Sequence, residues 1–128
     1  IMRRSVIAGV LFVLLLPVTL TAEDAKDEKE PSFWMKQKLK YSQEILNGLA
    51  LEDYELIENN ALSMKGLSKI ESFVRQKPEG YRVQLKTFEF SVSELARNAQ
   101  DENIDGATLA FTQMTISCVN CHKELRKQ

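Results

Sequence analysis

Apolar side chains recur at intervals of three and four residues along most of the chain after residue 32. This spacing places them on one face of an α-helix, whereas a half-buried β-strand needs an apolar residue at every second position. No segment shows convincing alternation of that second kind. The sequence therefore predicts an all-α fold.

Turn-forming residues and short polar runs divide this periodic region into four segments. The predicted helices cover about residues 32–47, 51–75, 81–100 and 105–126. Gly48 is expected to end the first helix, residues 76–80 to form a turn, and Asp105 to cap the fourth helix. Four amphipathic helices with short connections predict an antiparallel, up-down-up-down four-helix bundle.

Each predicted helix carries one apolar stripe, and the four stripes together form the predicted core. In chain order the stripes are Met35, Leu39, Ser42, Leu46 and Leu49; Tyr54, Ile57, Ala61, Met64, Leu67 and Ile70; Tyr81, Leu85, Phe88, Val92, Leu95 and Ala99; and Ala107, Phe111, Met114, Cys118 and Leu125. A methionine or an aromatic residue on such a stripe is core packing by default.

Residues 1–22 contain the three parts of a secretory signal peptide. Met2-Arg3-Arg4 is basic, residues 6–16 are small or apolar without interruption, and small residues lead up to Ala22. The apolar run is well short of the roughly 20 residues that a membrane-spanning helix needs. We predict cleavage after Ala22 and export, which in a bacterium leads to the periplasm. Membrane contact is expected only through this segment, if it is not cleaved.

Residues 23–32 are highly charged and have almost nothing to bury, so they predict a flexible arm ahead of a single domain at 33–128. The whole chain has a formal net charge of −1. Loss of Arg3 and Arg4 with the signal segment makes the mature chain more acidic. This charge balance argues against a nucleic-acid-binding protein.

All the thiol and imidazole groups of the chain lie in one pentapeptide. The sequence has two cysteines and one histidine, namely Cys118, Cys121 and His122. At positions i, i+3 and i+4 they share one face of the fourth helix, and that face is predicted to point into the bundle. This Cys-x-x-Cys-His motif is the main functional signal in the sequence.

Several chemistries compete for the motif. A disulfide between adjacent helical turns would hardly constrain the fold, and a thioredoxin-type site needs a preceding strand and a helix N-terminus. Zinc would need a fourth ligand from an acidic side chain or water. Cys-x-x-Cys-His is also the attachment signature of haem c, in which two thiols add to the haem vinyl groups and the imidazole binds iron. Export and an apolar bundle interior suit this last reading, so we predict one covalent haem c near one end of the bundle.

The ending CVNCHKELR and the segment LNGLALEDYELIENNA resemble the class II cytochromes c, the cytochrome c-prime group. The likeness covers about residues 33–126, with Leu125 where the family often has an aromatic residue. It implies thioether bonds from Cys118 and Cys121, His122 as the proximal iron ligand, and Arg126 near the haem edge. An alternative role for Arg126 is to offset the partial negative charge of the helix C-terminus.

The resemblance also implies two behaviours, which differ in the sixth iron ligand. Low-spin members have a methionine there and transfer electrons, whereas high-spin members leave the site open to small gases such as NO or CO. In an alternating bundle only Met35 lies at the level of His122, and it is either that ligand or core packing. The residues expected near the haem are Trp34, Met35, Lys38, Phe73, Val74, Tyr81 and Leu85.

The expected function is electron transfer with a redox partner protein. The alternatives are a gas-binding high-spin cytochrome, and a haem-free helical interaction module whose cysteines form a disulfide or a metal clip. No acid–base pair or nucleophile arrangement indicates an enzyme. Self-association into a homodimer stays open.

Overall fold

The computed structural model describes residues 32–74 and 79–126. The four α-helices there are α1 (Phe33–Leu51), α2 (Tyr54–Val74), α3 (Glu79–Gln100) and α4 (Ile104–Arg126). Within these two ranges the chain has no β-strand, so the predicted all-α fold is confirmed. The predicted signal segment, nearly all of the charged arm and most of the predicted turn at 76–80 lie outside the described residues.

Each helix packs along the helix that follows it, as a four-helix bundle requires. Side chains near the start of α1 and α3 meet the end of α2, and Gln100 at the end of α3 reaches Glu58 near the start of α2. By contrast, α1 and α4 contact each other over only a short stretch. The bundle therefore has one weakly packed seam, between α1 and α4.

The two ends of the bundle are named here by what they contain. The connection end holds the α1–α2 and α3–α4 connections. The cysteine end holds the start of α1, the end of α2, the start of α3 and the end of α4, with the Cys-x-x-Cys-His motif.

At the α1–α2 connection the prediction that Gly48 ends the first helix is wrong. The helix continues to Leu51, and Glu52 then adopts a left-handed conformation with φ of 54°. Gly48 is buried, and a Cβ atom there would lie 2.8 Å from Cγ1 of Ile57. The glycine serves the close approach of two helices. Asp53 caps α2 by accepting a hydrogen bond of 2.9 Å from the backbone N–H of Leu56.

The α3–α4 connection repeats this arrangement. Glu102 is left-handed with φ of 51°, and Asn103 accepts a hydrogen bond of 3.0 Å from the backbone N–H of Gly106. The predicted cap at Asp105 is therefore wrong, since Asp105 lies in the first turn of α4. A carboxylate at this position still stabilises α4, because it interacts favourably with the partial positive charge at the helix N-terminus.

The predicted stripe of α3 is confirmed, because all six of its residues are buried. The α1 prediction is partly wrong: Leu39 and Leu46 are 45% and 56% exposed, whereas Ile45 and Gly48 are buried. Ile70 of the α2 stripe is also exposed. Two rows of residues with similar helical spacing lie next to each other on α1, and sequence periodicity selects the more apolar one, which includes Leu39 and Leu46. The row that packs against the bundle includes Lys38 and Tyr41. Their polar groups make that row look like a solvent-exposed one in the sequence.

No helix in the described part of the chain is both long and apolar enough to cross a membrane.

Candidate functional site

The motif lies on the last turns of α4. Cys118 and Cys121 are half-buried, and both pack against the core. His122 is exposed, so the expectation that all three side chains point inward is right only for the cysteines. The imidazole lies at the boundary between the bundle interior and solvent.

Two small cavities adjoin the motif. One, of about 40 Å³, lies between α1, α3 and α4, and the other, of about 90 Å³, extends towards the helix ends. Both are lined by Met35, Lys38, Cys121 and His122. The first is also lined by Gln84, Leu85, Phe88, Ser117 and Cys118, and the second by Ser32, Trp34, Glu71, Tyr81 and Leu125. The structure thus brings the motif opposite Met35 across the α1–α4 seam.

Burial is the main influence on the two thiols. It raises the pKa of Cys118, and the positive charge of Lys38 opposes this in part. Burial likewise raises the pKa of Cys121, with Lys38 again opposing and Glu71 adding to the shift. Thiols with raised pKa values are mostly protonated at neutral pH and are poor nucleophiles. This environment gives no support to a thioredoxin-type redox site.

A buried ion pair crosses the cysteine end beside the cavities. The Lys38 Nζ lies 2.5 Å from Oε2 of Glu71, and the Tyr81 hydroxyl donates a 2.6 Å hydrogen bond to Oε1 of the same carboxylate. The Lys38 Nζ also lies 4.9 Å from the ring centroid of Phe88. Glu71 is only 3% exposed. The network links α1, α2 and α3 at the level of the motif.

A second polar group is buried one turn before Glu71. The Ser68 side chain is fully buried, and its hydroxyl has no hydrogen-bond partner among the described residues. An unsatisfied buried hydroxyl costs about 1–3 kcal/mol. The interior of the cysteine end therefore includes a polar group that the described residues do not satisfy.

The other predicted site residues divide into two groups. Trp34, Lys38, Tyr81 and Leu85 line the cavities as expected. Phe73 and Val74 do not line them and are 89% and 61% exposed. Arg126 is the exposed last residue of α4 and lines neither cavity. Phe73 and Val74 therefore lie outside the two cavities, and their nearness to a haem stays a prediction.

Sequence reasoning missed Glu71, Phe88 and Ser117 as site residues. Glu71 continues the helical row of Ala61, Met64 and Ser68 at the correct spacing. A charged residue on a buried row was the available signal, but its partner Lys38 lies 33 residues away.

The described residues give no support to the two alternative roles of the motif, a metal site and a disulfide. Across the described ranges, no group of three or more His, Cys, Asp and Glu side chains is placed to hold a metal ion. Cys118 and Cys121 are both free thiols.

Comparison with known proteins gives no match for this chain, whether among family models, curated proteins or solved structures. The fold and the site together define a four-helix bundle with a Cys-x-x-Cys-His motif on its last helix.

Proposed function

We propose that this chain is an exported c-type cytochrome of the class II type, with one covalent haem c, and that it transfers electrons. The observation that carries the proposal is the position of Cys118, Cys121 and His122. The two thiols line cavities whose opposite wall is Met35, and the imidazole lies beside them. When bound, haem c supplies an iron centre that accepts and releases one electron at a time.

The donor set fits this cofactor. The two cysteines would hold it through thioether bonds, and His122 would bind the iron. Neither thiol is engaged in a disulfide. Leu85 and Phe88 provide apolar walls on α3.

The cavities of about 40 and 90 Å³ have room for only a few water molecules. A porphyrin therefore requires the bundle to open at this end. The α1–α4 seam is the place where opening breaks the fewest contacts, because these two helices touch over only a short stretch. The Lys38–Glu71 pair would keep α1 attached to α2 while the seam widens.

Met35 is the residue proposed as the sixth ligand. It is half-buried on α1 and lines both cavities together with His122. Met64 and Met114 are fully buried in the core and line neither cavity. A thioether ligand raises the reduction potential of a haem, which suits an electron carrier.

The attachment is tested by mass spectrometry of the denatured protein after expression in cells with working haem-c maturation. We expect the mass of the chain plus one haem, and a Soret band that remains with the protein on denaturation. Cys118→Ala with Cys121→Ala should abolish the attachment. Val119→Ala, at an exposed position between the cysteines, is the matched control and should keep it. Recovery of only the haem-free mass in the wild type would leave the helical interaction module as the better reading.

The ligand role of Met35 is tested by the spin state. With Met35 bound, the ferrous protein should be six-coordinate and low-spin and should bind CO slowly. Met35→Ala should then give a high-spin spectrum and fast CO binding, whereas Met64→Leu should change neither. A wild-type protein that is already high-spin at neutral pH would replace electron transfer by the gas-binding alternative.

A further inference from the structure

The exposed charges of the bundle are separated by sign along its axis. At the cysteine end the surface is mainly basic. Its exposed cations are Lys36, Lys40, Lys69, Arg82, Lys86, Lys123 and Arg126. Among the described residues, the acidic groups on the same surface are the exposed Glu79 and the half-buried Glu89 and Glu124, since Glu71 is buried. This set of cations is called the basic end surface.

The connection end has the opposite sign. Its acidic residues are Glu52, Asp53, Glu55, Glu58, Glu94, Asp101, Glu102 and Asp105. Arg97 is the cation at this end in the described ranges, and it lies 2.6 Å from Glu94 and 3.4 Å from Asp101. The pKa of Tyr54 is raised by burial and then by Glu52, Glu102 and Asp105, as expected in a negative field.

The two surfaces act independently at physiological ionic strength. A helix of the length found here extends for about 30 Å, since each residue adds about 1.5 Å. The Debye length in physiological salt is about 8 Å, so charges at one end are screened from the other. A partner approaching the cysteine end therefore meets a positive field, although the chain as a whole has a formal net charge of −1.

We propose that the basic end surface docks the acidic face of a redox partner protein. The inference rests on the proposed electron-transfer function, because that function requires a partner to approach the motif. His122 is exposed at this end, so a protein bound there lies close to the site of the cofactor. Opposite charges on two such faces speed their encounter and orient it.

The α3 part of the basic end surface has the shape to receive acidic side chains. Arg82 and Lys86 are one turn apart and both line two neighbouring grooves, of about 240 and 190 Å³. Each groove has two cations against one carboxylate, Glu89 in the first and Glu79 in the second. The proposed function also requires a protein donor and a protein acceptor. These points favour an acidic protein over a membrane.

The field is tested with two one-electron oxidants of opposite charge. Ferricyanide is a trianion and tris(phenanthroline)cobalt(III) is a trication. Each takes one electron from the ferrous haem and leaves it ferric. The ferricyanide rate should fall as ionic strength rises, and the cobalt rate should rise. The opposite pattern, which the net charge of the whole chain predicts, would overturn the proposal. Absence of haem would show as a missing Soret band, so the two failures are distinguishable.

Matched variants locate the field on the surface. Lys86→Gln and Arg82→Gln should each slow ferricyanide about twofold at an ionic strength of about 0.1 M, the effect of one charge on a trianion at one Debye length of about 10 Å. Arg97→Gln makes the same charge change at the connection end and should leave the rate unchanged. Equal effects at both ends would show that only net charge matters and would contradict the proposal. An unchanged absorption spectrum and helix content establish that each variant is folded.

Poly-L-glutamate is the probe for an acidic protein surface. It should slow the ferricyanide reaction of the wild type by covering the basic end surface, and it should do so less in the Arg82→Gln/Lys86→Gln double variant. Phosphatidylglycerol vesicles at physiological ionic strength should not sediment the protein. Sedimentation with vesicles that the double variant loses would assign the surface to lipid and overturn the protein-docking proposal.

Discussion

At the connection end, the buried side chains of Ile57, Leu95 and Ala99 are apolar, and the buried amide of Asn98 donates a 2.8 Å hydrogen bond to the carbonyl of Glu94. At the cysteine end, the interior includes the charged pair of Lys38 and Glu71 and the unsatisfied hydroxyl of Ser68. The interior of the first region is closed by apolar packing and by helix caps, and its ion pairs lie on the surface. The second has cavities, buried charge and a weak seam. The two ends of the bundle are thus stabilised differently, by apolar packing at the connection end and by a buried ion pair beside cavities at the cysteine end.

The largest expected effect comes from breaking the buried pair. Glu71→Leu removes the carboxylate and leaves the Lys38 ammonium in the interior without it. Removal of one partner of a buried pair typically costs 3–5 kcal/mol, and we expect about 3 kcal/mol because Lys38 retains 14% exposure. Denaturant unfolding of the mature protein measures this loss.

The control for Glu71→Leu is the double variant Lys38→Met/Glu71→Leu. It removes both charges and replaces them with apolar groups, so most of the stability should return. A double variant as unstable as the single one would show that the Tyr81 hydrogen bond to Glu71, and not the ion pair, holds this end together.

The next effect concerns the connection end. Ile57 is fully buried against Gly48, and Ile57→Ala should lower the free energy of unfolding by about 2–4 kcal/mol through loss of contacts and a residual cavity. The loss should be equal with and without haem, because Ile57 lines neither cavity at the cysteine end. A loss that depends on haem would contradict the division of the molecule into two independent ends.

Glycine-to-alanine substitutions at two positions, one crowded and one open, are expected to change the free energy of unfolding in opposite directions. A Cβ atom at Gly106 would lie 2.0 Å from Oδ1 of Asn98, whereas a Cβ atom at Gly66 meets nothing within 4 Å. Gly106→Ala should destabilise the protein by at least about 1 kcal/mol, since the capping hydrogen bonds must move. Gly66→Ala should stabilise it by up to about 1 kcal/mol, because alanine favours an exposed helix interior. Thermal unfolding of both variants gives the two signs directly.

Much of the fold could be predicted because it follows from local periodicity. The six residues of the predicted α3 stripe, for example Phe88 and Leu95, are regularly spaced, and all six are buried. The role of Gly48 could not be predicted in this way, because its constraint is the side chain of Ile57 on another helix. The prediction that Leu39 is buried was wrong for a related reason. Only packing against the other helices decides which of two adjacent rows of α1 faces the core.

The candidate site was predictable where the chemistry is local. Cys118, Cys121 and His122 are adjacent in sequence, and the level of Met35 follows from counting residues along alternating helices. The ion pair of Lys38 and Glu71 was not predictable, because it joins two helices through residues 33 apart.

The smallest expected effect is on thiol reactivity in protein expressed without haem maturation. Because burial raises the pKa of Cys118 and of Cys121, both should react with iodoacetamide more slowly at neutral pH than in the denatured chain. The rates should increase only at a pH above that at which an ordinary thiol ionises. Since the folded state favours the protonated thiol, its contribution to stability is complete below the ordinary thiol pKa. That contribution is lost as the pH rises through the raised value.

Three variants separate the causes of that reactivity. Lys38→Met removes the cation that opposes the shift at both thiols, so both should react more slowly still. Lys123→Met removes an exposed cation beside the motif and should change neither rate. Glu71→Gln should raise the rate of Cys121 more than that of Cys118, because the carboxylate raises the pKa of Cys121. Peptide mapping after timed alkylation resolves the two cysteines, and equal changes at both would show that Lys38, released from its partner, controls the field at this end.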